Sequence, residues 1–351
     1  MTGLEDYGWN ESLQQAFDAL DETGLEPARV ASEHRNRYVL YTADGVLTGR
    51  LPGRMHRGGE HAVVGDWVAI KRAPDGTAVI RAILPRTSTF SRKVAGRAAE
   101  RQVMAANIDT LFIAMALVGD VSVRRLERYL IMAWESGARP VVLLTKADLA
   151  EDAEAVLKEV AAVAVGVPIH IVSSRTGNGL DELRPYLCAG CTVAVVGSSG
   201  VGKSTLINAL IGEDRVRTGE VREDGRGRHT TTARELIRMP SGALIIDTPG
   251  LRELQVWEAE SGLIDAFADI EELAQHCRFR DCAHQSEPGC AVREAVESGE
   301  LPADRLESYH QLRREMRAVE GRIDLRTRAE VRREERAATR AFHKHIRDRN
   351  R

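Results

Sequence analysis

The residues with the clearest chemistry form a phosphate-binding loop. The segment GSSGVGKST, Gly197 to Thr205, fits G-x-x-x-x-G-K-[ST] and lies between an apolar run and the helical sequence LINALIG. Glycines in this pattern let backbone N–H groups wrap the α- and β-phosphates, Lys203 would place a cation on the β- and γ-phosphates, and Ser204 can ligate Mg²⁺. The predicted nucleotide-binding residues of this loop are Gly197, Ser198, Ser199, Gly200, Val201, Gly202, Lys203, Ser204 and Thr205.

A second motif, DTPG, begins at Asp247 directly after the apolar run ALII. An acid at the C-terminal end of a strand can hold Mg²⁺, usually through water, and Gly250 would then donate its backbone N–H to the γ-phosphate. Alone, DTPG could be a simple turn. Downstream of a phosphate loop it is more consistent with a γ-phosphate sensor, so Asp247 and Ser204 are predicted to hold the Mg²⁺ together.

The segment TKAD also follows an apolar strand sequence. Asp148 is the candidate for reading guanine, because a carboxylate accepts two hydrogen bonds from N1–H and the exocyclic amine, which adenine lacks as a pair. Lys146 can lie over the base, and Thr145 stands where asparagine is commoner. TKAD by itself could be an ordinary strand-to-helix turn, but the later SSRTG can close over a base. The predicted base-binding residues are Thr145, Lys146, Ala147, Asp148, Ser173 and Ser174.

The threonine-rich segment HTTT (229–232) lies between GSSGVGKST and DTPG, after a stretch rich in Gly and Arg. We expect it to be a switch loop that is ordered only with γ-phosphate and Mg²⁺ bound. Thr230 or Thr231 would supply a further Mg²⁺ ligand, and Thr231 is preferred.

The group that orients the attacking water is a separate question. Leu251 follows DTPG where many GTPases carry glutamine; leucine cannot orient water, so hydrolysis should be slow without another residue or a partner. Our hypothesis is that His229 takes this role once a partner fixes the loop, and a solvated loop histidine is an equal alternative. Arg226 and Arg228 are weaker candidates for stabilising charge. The predicted catalytic residues are His229, Thr231, Asp247 and Gly250.

A Cys/His cluster reads Cys277-x4-Cys282-x-His284-x5-Cys290. Three thiolates and one imidazole can make a closed tetrahedral zinc site without an open position for catalysis, so we interpret it as structural. His276 is a rival ligand, and buried free cysteines are the alternative.

Strand and helix sequences alternate from residue 107 onward. The runs DTLFIAMAL, PVVLLTK, PIHIVSS and CTVAVVGSS predict strands, and RLERYLIMAWES and EDAEAVLKEVAAVA predict helices. Continuous apolar strands are typical of a parallel sheet covered on both faces, which predicts an α/β nucleotide-binding domain. After DTPG the chain turns helical, and it ends in a long charged helix from about residue 303.

Short β-rich runs precede this domain. RYVLYT and VLTGRL around Ala-Asp-Gly, and DWVAIKR and TAVIRAIL around Pro-Asp-Gly, each predict a hairpin. Several short strands favour a small barrel, and an OB-fold is the kind expected. Its basic residues make a nucleic-acid surface plausible, although a solvated β-surface would explain them equally well. They are Arg35, Arg37, Arg50, Arg54, Arg57, Lys71, Arg72 and Arg81.

Composition and charge narrow the class of protein. At 351 residues, 43% hydrophobic and 29% charged, the chain is ordinary globular material for two or three domains, and it has no run of membrane-spanning length or secretory signal. We therefore expect a cytoplasmic protein. The lead-in is acidic, whereas 322–351 carries eleven Arg and Lys against five acids, a surplus of six. Five cysteines argue for reduced thiols or a metal, and Cys188 and Cys191, despite their C-x-x-C spacing, are expected to pack against the sheet.

The order of the motifs is rotated relative to an ordinary small GTPase, in which the phosphate loop comes first. With TKAD and SSRTG before GSSGVGKST, then GRGRHTTTARE, IDTPGLRE and CRFRDCAHQSEPGC, the chain resembles the circularly permuted GTPases of the ribosome small-subunit-dependent GTPase A family (RsgA, also called YjeQ) over nearly its whole length. The resemblance implies an OB domain, a permuted G domain and a zinc domain that embrace the decoding region of the small ribosomal subunit. It also implies a role late in subunit maturation, with release on GTP hydrolysis.

The expected architecture is therefore a multidomain chain with an N-terminal β-barrel (OB-fold), a central α/β circularly permuted P-loop GTPase domain and a C-terminal α-helical zinc-binding domain. The predicted divisions are an acidic extension (1–28), an RNA-binding OB-fold (29–95), the G domain (96–256), and the zinc-binding domain with a basic helical tail (257–351). We expect GTP or GDP, Mg²⁺ and one structural Zn²⁺ as cofactors. The expected partner of this monomer is the small ribosomal subunit with its rRNA, and no membrane.

Two other functions are weighed beside this one. A P-loop ATPase or kinase would bind ATP in preference to GTP, and the argument from Asp148 predicts the reverse. A zinc-containing RNA-binding protein that uses nucleotide only as structure would show no turnover with small subunits present.

Overall fold

A computed structural model gives the structure of the chain. It describes residues 3–34, 37–53, 55, 61–93, 101–118, 121–213, 234–247, 263–264 and 266–314. Three of the predicted catalytic residues, His229, Thr231 and Gly250, lie outside these ranges, as does the basic tail. No helix within the described ranges is both long and apolar enough to cross a membrane.

The strands and helices follow the predicted order along the chain. The strands are β1 (Glu26–His34), β2 (Arg37–Thr42), β3 (Gly45–Arg50), β4 (Trp67–Arg72), β5 (Ala78–Ile83), β6 (Thr89–Lys93), β7 (Arg101–Ala106), β8 (Thr110–Ala116), β9 (Arg139–Thr145), β10 (Ile169–Ile171), β11 (Thr192–Val196), β12 (Glu235–Arg238) and β13 (Leu244–Asp247). The helices are α1 (Glu11–Asp18), α2 (Val123–Ser136), α3 (Ala153–Ala161), α4 (Lys203–Ile211), α5 (Ala268–Ala274), α6 (Ala291–Ser298) and α7 (303–314). Short 3₁₀ helices cover Leu4–Tyr7, Ala147–Leu149 and Leu180–Tyr186.

The first five strands close into the barrel that the sequence predicts. The pairing order is β1-β2-β3-β5-β4, and β1 also pairs with β4, so the barrel has no free edge along β1. Both predicted hairpins form: β2 pairs antiparallel with β3, and β4 with β5. Alternate residues of β2 point inward, where Tyr38 and Leu40 are buried in a core with Val68, Ile70 and Ile80.

A parallel sheet carries the nucleotide motifs. Its order is β10-β9-β8-β11-β13, and each neighbouring pair is parallel. The apolar strands are buried as expected: Phe112 on β8, Leu143 on β9 and Val193 on β11 are each 0% exposed. Since all five strands run the same way, their C-terminal ends meet at one edge of the sheet.

One hydrogen-bonded ladder joins the barrel to this sheet, which the sequence did not predict. β12 pairs antiparallel with β13 on one side, and its Glu235 pairs with Ser32 of β1 on the other. The hydroxyl of Tyr41 in the barrel also donates to the carbonyl of Leu236 at 3.0 Å. The chain folds into two compact units, of which one holds Met1–Ser91, Val103–Leu254 and Ser261–Ala266. The barrel and the nucleotide-binding sheet therefore belong to the same unit.

Arg29 on β1 is the hydrogen-bonding centre of this junction. Its side chain is only 2% exposed. It donates to the hydroxyl of Thr192 on β11 at 2.8 Å, to the carbonyl of Asn107 at 3.1 Å, to that of Gly65 at 3.3 Å, and to that of Tyr7. Burial lowers the pKa of Arg29 to about 10, which leaves it charged at neutral pH. One side chain thus joins the lead-in, the barrel and the strand that enters the phosphate loop.

The acidic lead-in packs onto the barrel through aromatic side chains. Tyr7 stacks on Tyr41 with ring centroids 4.8 Å apart, and Trp9 meets the edge of the buried Trp67 at 4.8 Å. On the other side, the guanidinium of Arg238 on β12 lies 6.0 Å from the centroid of the Tyr7 ring. The sequence of the lead-in suggested no role beyond charge and helix propensity. In the structure, the lead-in packs against both the barrel and β12 at the junction.

Three of the predicted basic residues of the barrel are already paired with acids. Arg81 and Lys71 contact Glu22 at 2.9 and 3.6 Å, and Arg72 contacts Glu26 at 2.8 Å. Such exposed pairs contribute little to stability, but they balance the positive charge of this face. A nucleic-acid surface on the barrel would therefore depend on other cations. The described members of the predicted set outside these pairs are Arg37 and Arg50.

The second compact unit includes Phe267–Arg351. Its described helices α5, α6 and α7 enclose a small core in which Phe267 and Val292 are 0% exposed and Tyr309 is 2% exposed. Arg305 of α7 binds the carboxylate of Asp269 at 2.9 and 3.0 Å, and its guanidinium lies 4.1 Å from the Phe267 ring. This partly buried ion pair holds α7 against α5, as the expected helical module requires.

Candidate functional site

The phosphate loop connects β11 to α4 with a backbone that requires glycine at its first position. Gly197 has φ 145°, and a Cβ there would lie 2.3 Å from the carbonyl oxygen of Ala114 on β8. Gly200 and Gly202 also have positive φ, at 79° and 97°. The loop therefore leaves the sheet in close contact with the neighbouring strand and enters α4 at its N-terminus, where backbone N–H groups favour anions.

Lys203 curls over this loop. Its Nζ donates to the carbonyls of Gly197 at 2.8 Å and Ser198 at 2.5 Å. The ammonium is therefore held against the phosphate loop, and its contact with the β- and γ-phosphates stays a prediction. Ser204 is half-buried in the first turn of α4, and Thr205 is exposed.

A pocket opens beside the loop on the side of α2. It encloses about 260 Å³ between the ends of β8 and β9, the N-terminal part of α2 and the loop. Lys146 of TKAD lines it together with Ser199 and Gly200. Arg125 of α2 also lines it and donates to the hydroxyl of Ser198 at 2.7 Å. One residue of the base-reading segment, Lys146, thus lines the same cavity as the phosphate loop.

The base-reading segment is built around Asp148. Lys146 has φ 60°, a left-handed conformation that turns the chain sharply after β9. The hydroxyl of Ser173, which is 0% exposed, donates to the exposed Asp148 carboxylate at 2.6 Å. Ala147 N donates to the Val172 carbonyl at 3.2 Å. The structure therefore brings TKAD and SSRTG together as the sequence predicts, with Ser174 half-buried in the same turn.

Thr145 has a role that sequence reasoning missed. It is 2% exposed, and its hydroxyl lies 2.6 Å from the Val201 carbonyl in the phosphate loop and 3.1 Å from that of Met115 on β8. Because these carbonyls only accept, the threonine hydroxyl is the donor that ties the base-reading segment to the loop. The departure from asparagine at this position was the available signal.

Asp247 is the last residue of β13, and its backbone lies at the same edge. Ile246 pairs with Ala194 of β11, so the chain reaches Asp247 beside the start of the phosphate loop. Asp247 therefore lies at the C-terminal end of a strand, as its sequence position predicts. The predicted partners of Asp247 in hydrolysis, His229, Thr231 and Gly250, fall outside the described residues, so their roles remain predictions.

The Cys/His cluster has the spacing of a tetrahedral zinc site. The ligand atoms of Cys277, Cys282, His284 and Cys290 all lie within 4.8 Å of one another. Cys277 Sγ is 3.9 Å from Cys290 Sγ, and His284 Nδ1 is 3.6 and 3.4 Å from these sulfurs. Tetrahedral zinc with Zn–S of about 2.3 Å and Zn–N of about 2.0 Å places sulfurs about 3.8 Å apart, and sulfur and nitrogen about 3.5 Å apart. The residues present therefore fit Zn²⁺, and His276, exposed and outside the cluster, is excluded as the fourth ligand.

Burial shifts the pKa values of two of these ligands in opposite directions. It lowers the pKa of His284, assisted by nearby His310 and Arg313, which favours the neutral imidazole that binds metal. It raises the pKa of the Cys282 thiol to about 11, so a metal must displace the proton. Cys290 is the N-cap residue of α6.

A carboxylate organises the loop that carries His284. Glu287 accepts hydrogen bonds from the backbone N–H groups of Ala283 at 2.9 Å, Gln285 at 2.8 Å and Ser286 at 2.9 Å. These bonds lower the pKa of Glu287 to about 2. His284 itself has φ 58°, a conformation that non-glycine residues adopt rarely. Its neighbours on both sides are therefore held by one anion.

The prediction for the second cysteine pair was wrong. Cys188 and Cys191 form a disulfide, with Cα atoms 5.3 Å apart, and Cys188 is exposed instead of packing against the sheet. The physical reason is a tight turn: Cys191 N donates to the Cys188 carbonyl at 3.0 Å, and Gly190 has φ 77°. This turn brings the two side chains to the same side just before β11.

A closed five-stranded barrel followed by a parallel sheet, with a base-reading segment that precedes its phosphate loop, defines a circularly permuted P-loop GTPase. A family model described as RsgA GTPase matches residues 83–257. The chain belongs to the RsgA GTPase family and is a GTP hydrolase.

Relatives and solved structures agree with this assignment. The chain is 50% identical over 315 residues to "Small ribosomal subunit biogenesis GTPase RsgA 2" of Lactiplantibacillus plantarum. The matched region covers 88% of each chain. It is 44% identical over 342 residues to "Small ribosomal subunit biogenesis GTPase RsgA" of Streptomyces avermitilis, covering 94% of this chain and 90% of that one. The crystal structure of YjeQ from Thermotoga maritima matches with a TM-score of 0.63 at 27% identity, over 82% of this chain and 97% of the other. The circularly permuted GTPase YloQ matches with a TM-score of 0.63 at 25% identity, over 85% and 97%.

Proposed function

We propose that this GTPase binds the small ribosomal subunit, acts in its late maturation, and hydrolyses GTP to GDP and phosphate. In this proposal the subunit stimulates hydrolysis, and hydrolysis is coupled to release. The observation that carries the proposal is the convergence of Asp148, Thr145 and the phosphate loop at one sheet edge, in a chain whose relatives are named for small-subunit biogenesis.

The proposal assigns a role to each part of the chain. The nucleotide would bind to the phosphate loop and TKAD, with Ser204, Thr231 and Asp247 as the Mg²⁺ ligands and one Zn²⁺ in the Cys/His cluster. The barrel, the zinc module and the basic tail would contact rRNA. We retain the divisions 1–28, 29–95, 96–256 and 257–351, a monomeric state and a cytoplasmic location as parts of the same proposal.

Guanine specificity is tested at Asp148. GTP should displace a fluorescent GDP analogue far better than ATP, because only guanine offers two donors to one carboxylate. Asp148→Asn should weaken GTP binding and strengthen xanthosine triphosphate binding, since the xanthine carbonyl accepts from the new amide. Glu151→Gln, a neighbouring exposed substitution, is the matched control. Preferential binding of ATP by the wild type would instead favour the ATPase or kinase alternative.

The dependence on the ribosome is tested by measuring GTP hydrolysis with purified small subunits, large subunits and neither. Stimulation by small subunits alone is expected. His229→Ala should lose that stimulation if the histidine orients the attacking water, and an unchanged stimulated rate would remove it from the mechanism. Equal rates under all three conditions would contradict the proposed function.

Coupling of hydrolysis to release requires different subunit affinities in the two nucleotide states. The segment that carries Thr231 leads directly into β12, and β12 pairs with the barrel strand β1. A change in that segment therefore has a short route to the barrel, through β12 and its hydrogen-bonded pairing with β1. Small-subunit affinity should be higher with a non-hydrolysable GTP analogue than with GDP, and equal affinities would exclude a nucleotide switch.

A further inference from the structure

The loop between two zinc ligands, Cys277 and Cys282, carries an exposed aromatic side chain between two arginines. Phe279 is 41% exposed, and Arg278 and Arg280 on either side of it are exposed as well. Within the described ranges, the other large hydrophobic side chains with this degree of exposure are aliphatic. They are Val39, Val46, Leu149, Val165 and Ile264.

The backbone fixes the position of Phe279 without burying its ring. Arg278 N donates to the Gly289 carbonyl at 3.0 Å, and Cys282 N donates to the Phe279 carbonyl at 3.3 Å. The ligand cysteines at both ends would be further restrained by zinc. Because the loop is held in place before it meets a partner, binding there loses little conformational entropy.

The charges around the ring favour an anionic partner. The guanidinium of Arg278 lies over the Phe279 ring, 5.5 Å from its centroid. Neither arginine side chain forms an ion pair with a residue that the structure describes. Asp281 is the one acid between the two ligand cysteines, so this loop carries a net charge of plus one.

We propose that Phe279 is a stacking platform for an unpaired nucleobase of RNA, with Arg278 and Arg280 contacting the flanking phosphates. Aromatic rings and guanidinium planes are the groups on which proteins stack splayed-out bases, and the same arginines neutralise the backbone. A paired base inside a duplex has no free face, so the partner is a loop, a bulge or a single-stranded end. The inference rests on the proposed function, because it names the chemistry by which the zinc module would hold rRNA.

The test compares four zinc-loaded, full-length variants with the wild type. Phe279→Ala and Phe279→Leu remove the ring, Phe279→Tyr keeps it, and Val165→Ala changes an exposed side chain elsewhere. Affinity is measured for purified small subunits, and for a single-stranded oligoribonucleotide and its duplex. Zinc content and basal GTP hydrolysis are measured for each variant and should not change.

Phe279→Ala should weaken binding to subunits and to the single strand by about 5- to 150-fold, the range found for single stacked bases. Phe279→Leu should weaken it similarly, whereas Phe279→Tyr and Val165→Ala should bind as the wild type does. Duplex binding should be unaffected by all four. Arg278→Ala and Arg280→Ala should each reduce the slope of log affinity against log salt by about 0.7, as expected for one lost single-strand phosphate contact.

The outcomes separate this inference from the function on which it rests. A wild type that does not bind small subunits contradicts the proposed function, and the oligonucleotide arm still decides the platform. Normal subunit binding that is unchanged in Phe279→Ala overturns the platform alone. Affinity retained in Phe279→Leu but lost in Phe279→Ala would mean apolar packing against a protein, which also overturns it. If Phe279→Ala loses zinc, the contrast between Phe279→Tyr and Phe279→Leu decides.

Discussion

Replacing Glu287 by glutamine should weaken zinc binding without altering a zinc ligand. The carboxylate accepts three backbone N–H bonds of 2.8 to 2.9 Å, two of them to Oε2 and one to Oε1. A glutamine offers one acceptor oxygen, and its NH₂ group would face at least one N–H donor. The loop holding His284 at φ 58° would lose that restraint.

The expected size of the effect follows from how the anion acts. Glu287 touches no metal ligand atom, so it acts like the outer-shell partners of metal sites, whose loss typically costs about 10- to 100-fold in affinity. Because Glu287 is only half-buried, we expect the lower end of this range, about 10-fold.

Zinc affinity is measured at neutral pH by competition with a chromophoric chelator, and the Co²⁺-substituted protein reports ligand geometry by its absorption spectrum. Glu300→Gln, an exposed carboxylate after α6, is the matched control. Wild-type affinity and an unchanged Co²⁺ spectrum in Glu287→Gln would refute the reasoning.

The pKa of Glu287 also fixes the direction of its pH dependence. The pKa of Glu287 falls from an ordinary 4.5 to about 2 on folding. Its contribution to the stability of the folded protein is therefore complete above about pH 4.5 and is lost as the pH falls toward 2. Protons compete with zinc for its ligands as the solution is acidified, so the comparison is made at neutral pH.

Three further predictions concern Thr145 beside the phosphate loop, Arg29 at the junction, and the turn before β11. Thr145→Val keeps the shape but removes the donor to Val201, so it should cost about 1–3 kcal/mol in unfolding free energy, whereas Thr145→Ser should retain stability in urea denaturation. A Thr145→Val variant as stable as the wild type would show that the hydrogen bond from the Thr145 hydroxyl to Val201 does not stabilise the fold. Arg29→Met should cost about 3 kcal/mol or more, because buried carbonyls lose their donor; a loss under about 1 kcal/mol would contradict a central role. Alkylation without reductant should leave Cys188 and Cys191 unmodified, and reductant should expose both. Modification before reduction would show that the disulfide does not form in solution.

Local sequence signals predicted most of the architecture. Apolar runs marked β8, β9 and β11, turn residues marked both hairpins, and fixed spacing marked the phosphate loop and the zinc ligands. These features depend on residues close together in the chain, and their geometry is imposed by local backbone preferences. The same holds for the pairing of Asp148 with Ser173, because two motifs at strand ends must meet at a sheet edge.

Features that depend on distant contacts could not be predicted in this way. Arg29 reads as one more surface arginine until Tyr7, Asn107 and Thr192 are seen around it. The acids of the lead-in showed charge but not that Glu22 would neutralise basic residues of the barrel. No periodicity encodes these pairings, since each is decided by how whole elements pack.

The permuted sheet also has a consequence for synthesis of the chain. A ribosome releases β8, β9 and β10 long before β11, yet β11 lies between β8 and β13. While the chain emerges, β8, β9 and β10 can pair with one another, but β8 keeps a bare edge until residues 192–196 arrive. Unpaired strand edges invite association with other chains. The permutation therefore leaves a nascent intermediate whose exposed edge is closed by the very strand that delivers the phosphate loop.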